Sequence, residues 1–294
     1  MQGALAAWLA SGGPSSGSSS GPSSGPSSGP APAAPQSPCE RLPLVLLHGM
    51  GSTAAVWLPQ LEHFGRTRFT LAWTMPGYGT SPPAAGGMSW ETLADALAAL
   101  CDAHALPRIH LLGHSIGGMV AQAFARRHRE RLASLVLSAS SAGFGQASAG
   151  WKAEFLRQRE EPLAQHATFV DAAPALLERF CAPCISPQMR ALAVHAATSI
   201  DKAAYLEAMR LLLTFDGSAD LAQLDLPVLL VAGTDDQQAP LKAQQRLLER
   251  LPQARLVVLE GLNHMANLEA PGRFNACIEA FIQEVEGGPP ASLA

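Results

Sequence analysis

From residue 42 onward the apolar positions fall into two alternating patterns. Short, nearly unbroken apolar runs at 42–47, 68–73, 109–112, 132–138, 227–232 and 255–259 read as strands buried on both faces. A strand covered on one side only would alternate apolar with polar residues. Between these runs the apolar spacing becomes helical, at 54–64, 90–104, 118–128, 241–251 and 274–285. In the first of these, Val56, Trp57 and Leu61 share one side. Strand and helix in alternation predict an α/β fold with a mostly parallel central sheet flanked by helices. The alternation breaks at about Gly143. From 151 to 213 every segment is helical, with interruptions expected at Pro162, Pro174, Pro183 and Pro187. Such a block reads as an insertion forming a lid over the carboxyl ends of the strands, where open parallel sheets place their sites.

Residues 11–38 are almost entirely Gly, Pro, Ser and Ala, with a short Gly-Pro-Ser-Ser repeat. They cannot bury enough apolar surface to offset their chain entropy, so a disordered leader is expected over 1–38. The expected division is then core over 39–142, helical lid over 143–216, core again over 217–287 and a flexible tail over 288–294. Of the 294 residues 48% are hydrophobic and 15% charged, enough apolar content for a sizeable core. The formal net charge of −4 is spread without long runs of one sign. That argues against a nucleic-acid partner, which needs a basic face. No apolar run reaches the roughly 18 residues of a membrane span. The apolar residues 1–10 carry no Lys or Arg and make a poor export signal. The five cysteines follow no disulfide framework, which suits a reduced, cytoplasmic protein. Cys181 and Cys184 form a Cys-x-x-Cys without a second ligand pair, so they read as structural.

Chemistry concentrates at strand ends. Gly113-His114-Ser115-Ile116-Gly117 joins an expected strand to an expected helix. A nucleophilic serine lifted above a sheet needs a sharp, strained turn, and side chains two residues either way would strike neighbouring backbone. Gly113 and Gly117 meet that need. A serine hydroxyl also needs a base to take its proton. Of nine histidines, His264 is the one that directly follows the last strand. His114 is expected to point away from the hydroxyl because the turn is tight. A carboxylate must orient the base. Asp235 and Asp236 follow the strand at 227–232, and spacing alone does not choose between them. An oxyanion hole would use the backbone N–H of Ile116 and one from His48-Gly49-Met50-Gly51, assigned to Met50. His48 and Gly49 are expected to support that loop.

Several segments taken in order resemble one family. They are Leu46-Leu47-His48-Gly49, Pro76-Gly77-Tyr78-Gly79-Thr80-Ser81, Gly113-His114-Ser115-Ile116-Gly117-Gly118, Gly233-Thr234-Asp235-Asp236 with Pro240, and Gly261-Leu262-Asn263-His264. Residues 42–285 resemble the α/β-hydrolase superfamily, closest to its lid-bearing esterase and lactonase branches such as 3-oxoadipate enol-lactonases and related carboxylesterases. The resemblance implies the α/β-hydrolase fold and selects Asp236 over Asp235, since the family's acid falls three residues after the glycine and four before the proline. It also puts an Asp two residues before Pro76-Gly77, where this chain has Thr74.

The expectation is a serine hydrolase cleaving a carboxylic ester or lactone of a small, largely apolar molecule through an acyl-enzyme, with catalytic Ser115, Asp236 and His264. No metal or organic cofactor is implied. Peroxide in place of water would give a cofactor-free haloperoxidase or perhydrolase, and a thioester or carbon–carbon bond could be cleaved on the same triad. A different class, a receptor-like binder with this fold, would lack turnover. Phe155, Phe169, Phe180 and Phe215 are candidates to face the pocket. Arg157, Arg179, Arg190 and Arg210 are candidates to anchor a carboxylate.

Overall fold

The computed structural model describes residues 41–287 apart from 145, 184, 219 and 220. The leader and the tail lie outside the described residues, as do Cys39 and Cys184. Six strands form one sheet: β1 (Leu44–Leu47), β2 (Thr70–Trp73), β3 (Ile109–His114), β4 (Leu132–Ser138), β5 (Val228–Gly233) and β6 (Ala254–Leu259). All neighbours pair in parallel, in the order β2-β1-β3-β4-β5-β6. The apolar runs are continuous because both faces are covered. Val45, Leu47, Leu111, Leu135 and Leu230 point to one side, into the cluster that holds the apolar faces of α2 (Trp90–Ala103) and α3 (Ile116–Arg127). Leu44, Leu46, Leu112, Val136 and Leu229 point to the other, against α1 (Leu58–Phe64) and α10 (Pro271–Val285). Each fully buried leucine contributes about 1.5–3 kcal/mol.

Helix starts follow local chemistry. Ser89 caps α2 in a reciprocal capping box with Thr92. The segment expected to be one helix from residue 54 is a 3-10 turn (Ala54–Trp57) running into α1, with Pro59 in the first turn. Between β4 and β5 lie α4 (Ala149–Ala164), α5 (Phe169–Phe180), α6 (Pro187–Ala197) and α7 (Lys202–Leu212). Thr168, Ser186 and Asp201 cap the last three. The expected proline interruptions are only partly present. Pro187 opens α6, but Pro162 lies inside α4 and Pro174 inside α5. A helix-internal proline removes one hydrogen bond and crowds the preceding turn. In α5 the burial of Phe169, Ala172, Ala173, Leu176 and Leu177 outweighs that cost. The four-helix block joins the core through a short stem. Gly143 and Asp216 form an antiparallel bridge, flanked by Phe144 N–H donating to the Phe215 carbonyl and Gly217 N–H to that of Ala142, both at 2.9 Å.

α8 (Leu241–Leu248) follows β5, and the short α9 (Ala266–Glu269) precedes α10. At the amino ends of the strands a buried network fastens α10 to the sheet. Arg68 donates twice to Glu286, at 2.7 and 3.1 Å, and once to the Leu42 carbonyl at 2.8 Å. Glu286 also meets His110 Nε2 at 3.2 Å, while His110 Nδ1 lies 2.7 Å from the Ser134 hydroxyl. No helix among the described residues is long and apolar enough to cross a membrane.

Candidate active site

β1 and β3 are neighbours although the chain visits β2 between them. That reversal opens a crevice at the carboxyl ends of the two strands. The loop starting at His48 and the turn at Ser115 both emerge there.

Ser115 joins β3 to α3 with φ 54° and ψ −120°. A side chain held at such a conformation is strained by about 1–3 kcal/mol and persists only where its surroundings over-determine it. Here three hydrogen bonds do so, each at 2.9 Å. Ser115 N–H donates to the Ser138 carbonyl, and the Ser115 carbonyl accepts from Gly118 N–H and the Ser140 hydroxyl. Nothing in the sequence singles out Ser140. The two expected glycines are needed because the backbone closes on them. A Cβ at Gly117 would stand 2.6 Å from the carbonyl oxygens of both Leu47 and His48, and one at Gly113 would stand 2.6 Å from the carbonyl carbon of Gly117.

His264 lies in the loop between β6 and α9. Its Nδ1 is 2.8 Å from Oδ2 of Asp236, which is 2% exposed. Burial pushes the Asp236 carboxyl up. The His264 charge and hydrogen bond, with the N–H groups of Ala239 and Gln238, outweigh it and hold the acid below its ordinary range. An ionised carboxylate only accepts, so Nδ1 carries the proton and Nε2 is left as the basic nitrogen. The other Asp236 oxygen accepts from Gln238 N–H at 2.7 Å and Ala239 N–H at 2.9 Å. One oxygen thus shapes the local turn while the other holds the imidazole. Asp235 is exposed and accepts from the Thr234 hydroxyl instead. Ser115 and His264 line one cavity. They are not hydrogen-bonded to each other among the described residues, and bonds of this kind tighten on substrate binding.

The His264 loop is held by a residue that sequence reasoning missed. Glu269, the last residue of α9, accepts from Asn263 N–H at 2.6 Å and from Ala182 N–H at 2.9 Å. Asn263 in turn accepts the His264 N–H at 2.8 Å. Met265 N–H donates to the Phe180 carbonyl at 3.2 Å, and the Phe180 ring lies 5.7 Å from the His264 ring. The corner between α5 and α6 is therefore fastened to the loop that carries His264. Burial raises the Glu269 carboxyl against these N–H groups.

His48 Nε2 accepts from Met75 N–H at 2.9 Å, so its proton sits on Nδ1 and is donated to the Gly49 carbonyl at 2.8 Å. The Gly49 carbonyl and the Met50 N–H belong to one peptide plane and point in opposite directions. Fixing the first therefore orients the second. Burial drives the His48 pKa down to about 4, so it stays neutral in this role. Met50 and Gly51 line the same cavity as Ser115, and Ile116 opens α3 beneath it with its N–H at the helix N-terminus. His114, expected to point away from the Ser115 hydroxyl, packs beside the other histidine of the site. Its ring lies 4.8 Å from that of His264 and 6.4 Å from that of Trp57, forming part of the cavity wall. Burial, with the neighbouring His264, pushes its pKa down to about 3. Thr74 supports its turn by accepting the Ala54 N–H at 3.1 Å.

Residues 44–276 match the Alpha/beta hydrolase family. The chain belongs to that family. Among relatives of this alpha/beta hydrolase is the 3-oxoadipate enol-lactonase 2 of Acinetobacter baylyi, 27% identical, with 83% of this chain and 90% of the relative covered. The pimeloyl-[acyl-carrier protein] methyl ester esterase of Aeromonas hydrophila is 35% identical, with 81% and 94% covered. Among solved structures, the malate-bound esterase of Thermogutta terrifontis superposes with a TM-score of 0.74 at 28% identity, covering 83% of this chain and 90% of that one.

The cavity of this alpha/beta hydrolase measures about 1390 Å³, above the roughly 300–1,000 Å³ of most small-molecule sites. That is more room than a small substrate needs. Phe155, Phe169 and Phe180 line it; Phe215 does not, packing instead on Trp90 at 4.6 Å. Neither Arg157 nor Arg210 is on its wall. Arg157 pairs with Glu154 and Glu161, which do line the cavity, and Arg210 pairs with Glu160. Arg190 does not line the cavity either, and the side chain of Arg179 lies outside the described residues. The α4 arginine that does reach the cavity is Arg159, which sequence reasoning passed over.

Proposed function

We propose that this alpha/beta hydrolase is a serine hydrolase of carboxylic esters or lactones, acting through an acyl-enzyme. The observation that carries the reading is the His264–Asp236 pair, with its basic nitrogen left unbonded to the acid in the cavity lined by Ser115 on a strained turn. His264 Nε2 takes the Ser115 proton as Oγ attacks the carbonyl carbon. The oxyanion is met by the N–H groups of Met50 and Ile116. His264 then gives its proton to the leaving alkoxide, releasing alcohol and leaving the acyl group on Ser115. Water follows the same route in reverse: His264 removes one proton, hydroxide adds to the acyl carbon, and Ser115 leaves as the alcohol with the acid as product. Asp236 stays ionised and steadies the imidazolium at each step. The apolar wall of Phe169, Phe180, Leu176 and Leu177 suits an apolar acyl body. Similarity to an enol-lactonase and to esterases supports ester-type substrates.

The test is hydrolysis of p-nitrophenyl esters from acetate to decanoate by wild type and Ser115→Ala. Turnover is expected in wild type, with a loss of order a million-fold in the variant. Equal turnover by both proteins would overturn the reading.

A further inference from the structure

We propose that His114 is a positioning residue, a wedge whose ring sets the spacing between the oxyanion loop and the His264 base. The inference rests on the ester-hydrolase reading of the same site. His114 ends β3, immediately before Ser115, and its side chain is buried in the cavity wall. One contact is with the base, whose ring centroid lies 4.8 Å away at an interplanar angle of 55°. Another is with the loop that carries Met50. A Cβ at Gly49 would stand 2.7 Å from Cδ2 of His114 and 3.2 Å from its Nε2. The loop backbone therefore rests on this ring, and it can do so because position 49 has no side chain. Trp57, itself fully buried against Phe274, meets the His114 ring at 6.4 Å and 85°. The wedge is thus packed by the oxyanion loop, the 3-10 turn and the loop after β6.

Both halves of the machinery need such a stop. The bond from His264 Nδ1 to Asp236 fixes one atom of the imidazole but leaves its plane free to rock about that bond. Ring contacts with His114 and Phe180 remove that freedom, so Nε2 keeps one direction. On the loop side, His48 fixes the direction of the Gly49–Met50 peptide, and His114 fixes how deep that peptide can sink. The charge of the wedge also suits its place. The titratable groups that face it are His264, Asp236 and His48, and burial with the neighbouring His264 keeps it neutral. A second cation at this distance would oppose the imidazolium that forms on His264 during turnover, whereas a neutral ring does not.

The experiment is a double-mutant cycle between positions 49 and 114, read with p-nitrophenyl acetate and accompanied by thermal melts. Gly49→Ala drives a methyl into the His114 ring and is expected to lower kcat about ten- to a hundredfold, with KM little changed. His114→Ala removes the wedge and should lower kcat by a similar factor. In the double variant the methyl meets only the Ser115 Cβ, at 3.3 Å. The two losses should then fall short of multiplying, by about tenfold. His114→Phe, which keeps a neutral ring, should recover part of the kcat lost in His114→Ala. The low-field proton resonance of His264 Nδ1–H should be sharp in wild type and His114→Phe, and broadened by exchange with water in His114→Ala. Losses that multiply, wild-type kcat in His114→Ala, or His114→Phe no better than His114→Ala would each overturn the wedge. If Gly49→Ala fails to fold, the ranking of the two His114 variants and the resonance decide. Absence of ester turnover in wild type overturns the ester-hydrolase reading instead, and the resonance, which needs no substrate, still tests the wedge.

Discussion

A single methyl group at position 117 tests how the proposed nucleophile turn and the proposed oxyanion loop depend on each other. In Gly117→Ala the new Cβ would lie 2.6 Å from the carbonyl oxygens of Leu47 and His48, where ordinary contact begins at 3.4 Å. The two backbones must separate by about 0.8 Å, the gap between those distances. Both opposing atoms are main chain, so no side chain can rotate away. Overpacking of this kind costs about 1–3 kcal/mol. At about 2–4 °C per kcal/mol for a domain of this size, the melting temperature should fall by roughly 2–12 °C. The larger effect is on catalysis. The displaced segment is the end of β1 and His48, whose Nδ1–H aims the Gly49–Met50 peptide. Moving that donor removes its share of oxyanion stabilisation, worth about a hundred- to a thousand-fold in kcat. Thermal melts and p-nitrophenyl ester kinetics on the purified variant read both effects. A variant that melts lower yet keeps wild-type kcat would refute the link between this glycine and the oxyanion loop. One that keeps both would refute the packing argument itself.

Other perturbations probe separate parts of the molecule. Asp236→Asn should leave the fold intact but lower kcat by about 10⁴-fold, because the amide no longer enforces the Nδ1–H tautomer of His264; near-normal kcat would contradict the assigned role. Glu269→Gln puts an amide N–H against either Asn263 N–H or Ala182 N–H, costing about 1–3 kcal/mol and lowering kcat as the His264 loop shifts; wild-type kcat and melting temperature would contradict it. The fold should weaken in acid. Burial depresses His48 from 6.5 to about 4, so below pH 6.5 the unfolded chain takes up a proton that the native state refuses. Stability is full above that pH and falls through the window down to about pH 4, by about 3 kcal/mol for this residue alone. His110 and His114 are shifted in the same direction and add to the loss. Urea midpoints measured between pH 8 and pH 4 should therefore decline steadily, and a flat profile would contradict the buried neutral histidines.

The fold was readable because a doubly covered parallel sheet leaves a plain trace in the sequence. The run at 42–47 is apolar on both faces save Pro43 and that at 132–138 is broken only by Ser134 and Ser138, and Val45 and Leu46 do point to opposite clusters. Chain order brought Ser115 and His264 within one argument because both sit where strands end. Spacing alone did not separate Asp235 from Asp236; the three-dimensional turn of Gln238 and Ala239 around one carboxylate oxygen does. Pro162 and Pro174 misled because a proline's local cost is visible in sequence while the burial that offsets it is tertiary. Glu269 was hidden because its partner Ala182 lies 87 residues away. Arg159 was hidden among neighbours of identical type, since which of Arg157 and Arg159 turns inward depends on how α4 is seated over the core. Its stacking on Phe155, four residues earlier, is the one trace the sequence holds.

The most direct test of the central claim is trapping of the nucleophile. Wild-type protein is treated with a fluorophosphonate, and the site of attachment is read by intact and peptide mass spectrometry beside Ser115→Ala and His264→Ala. One adduct on Ser115 is expected, absent in Ser115→Ala and formed far more slowly in His264→Ala. Ester turnover in a wild-type protein whose adduct lies elsewhere, or that stays unlabelled, would contradict the assignment of Ser115 and His264.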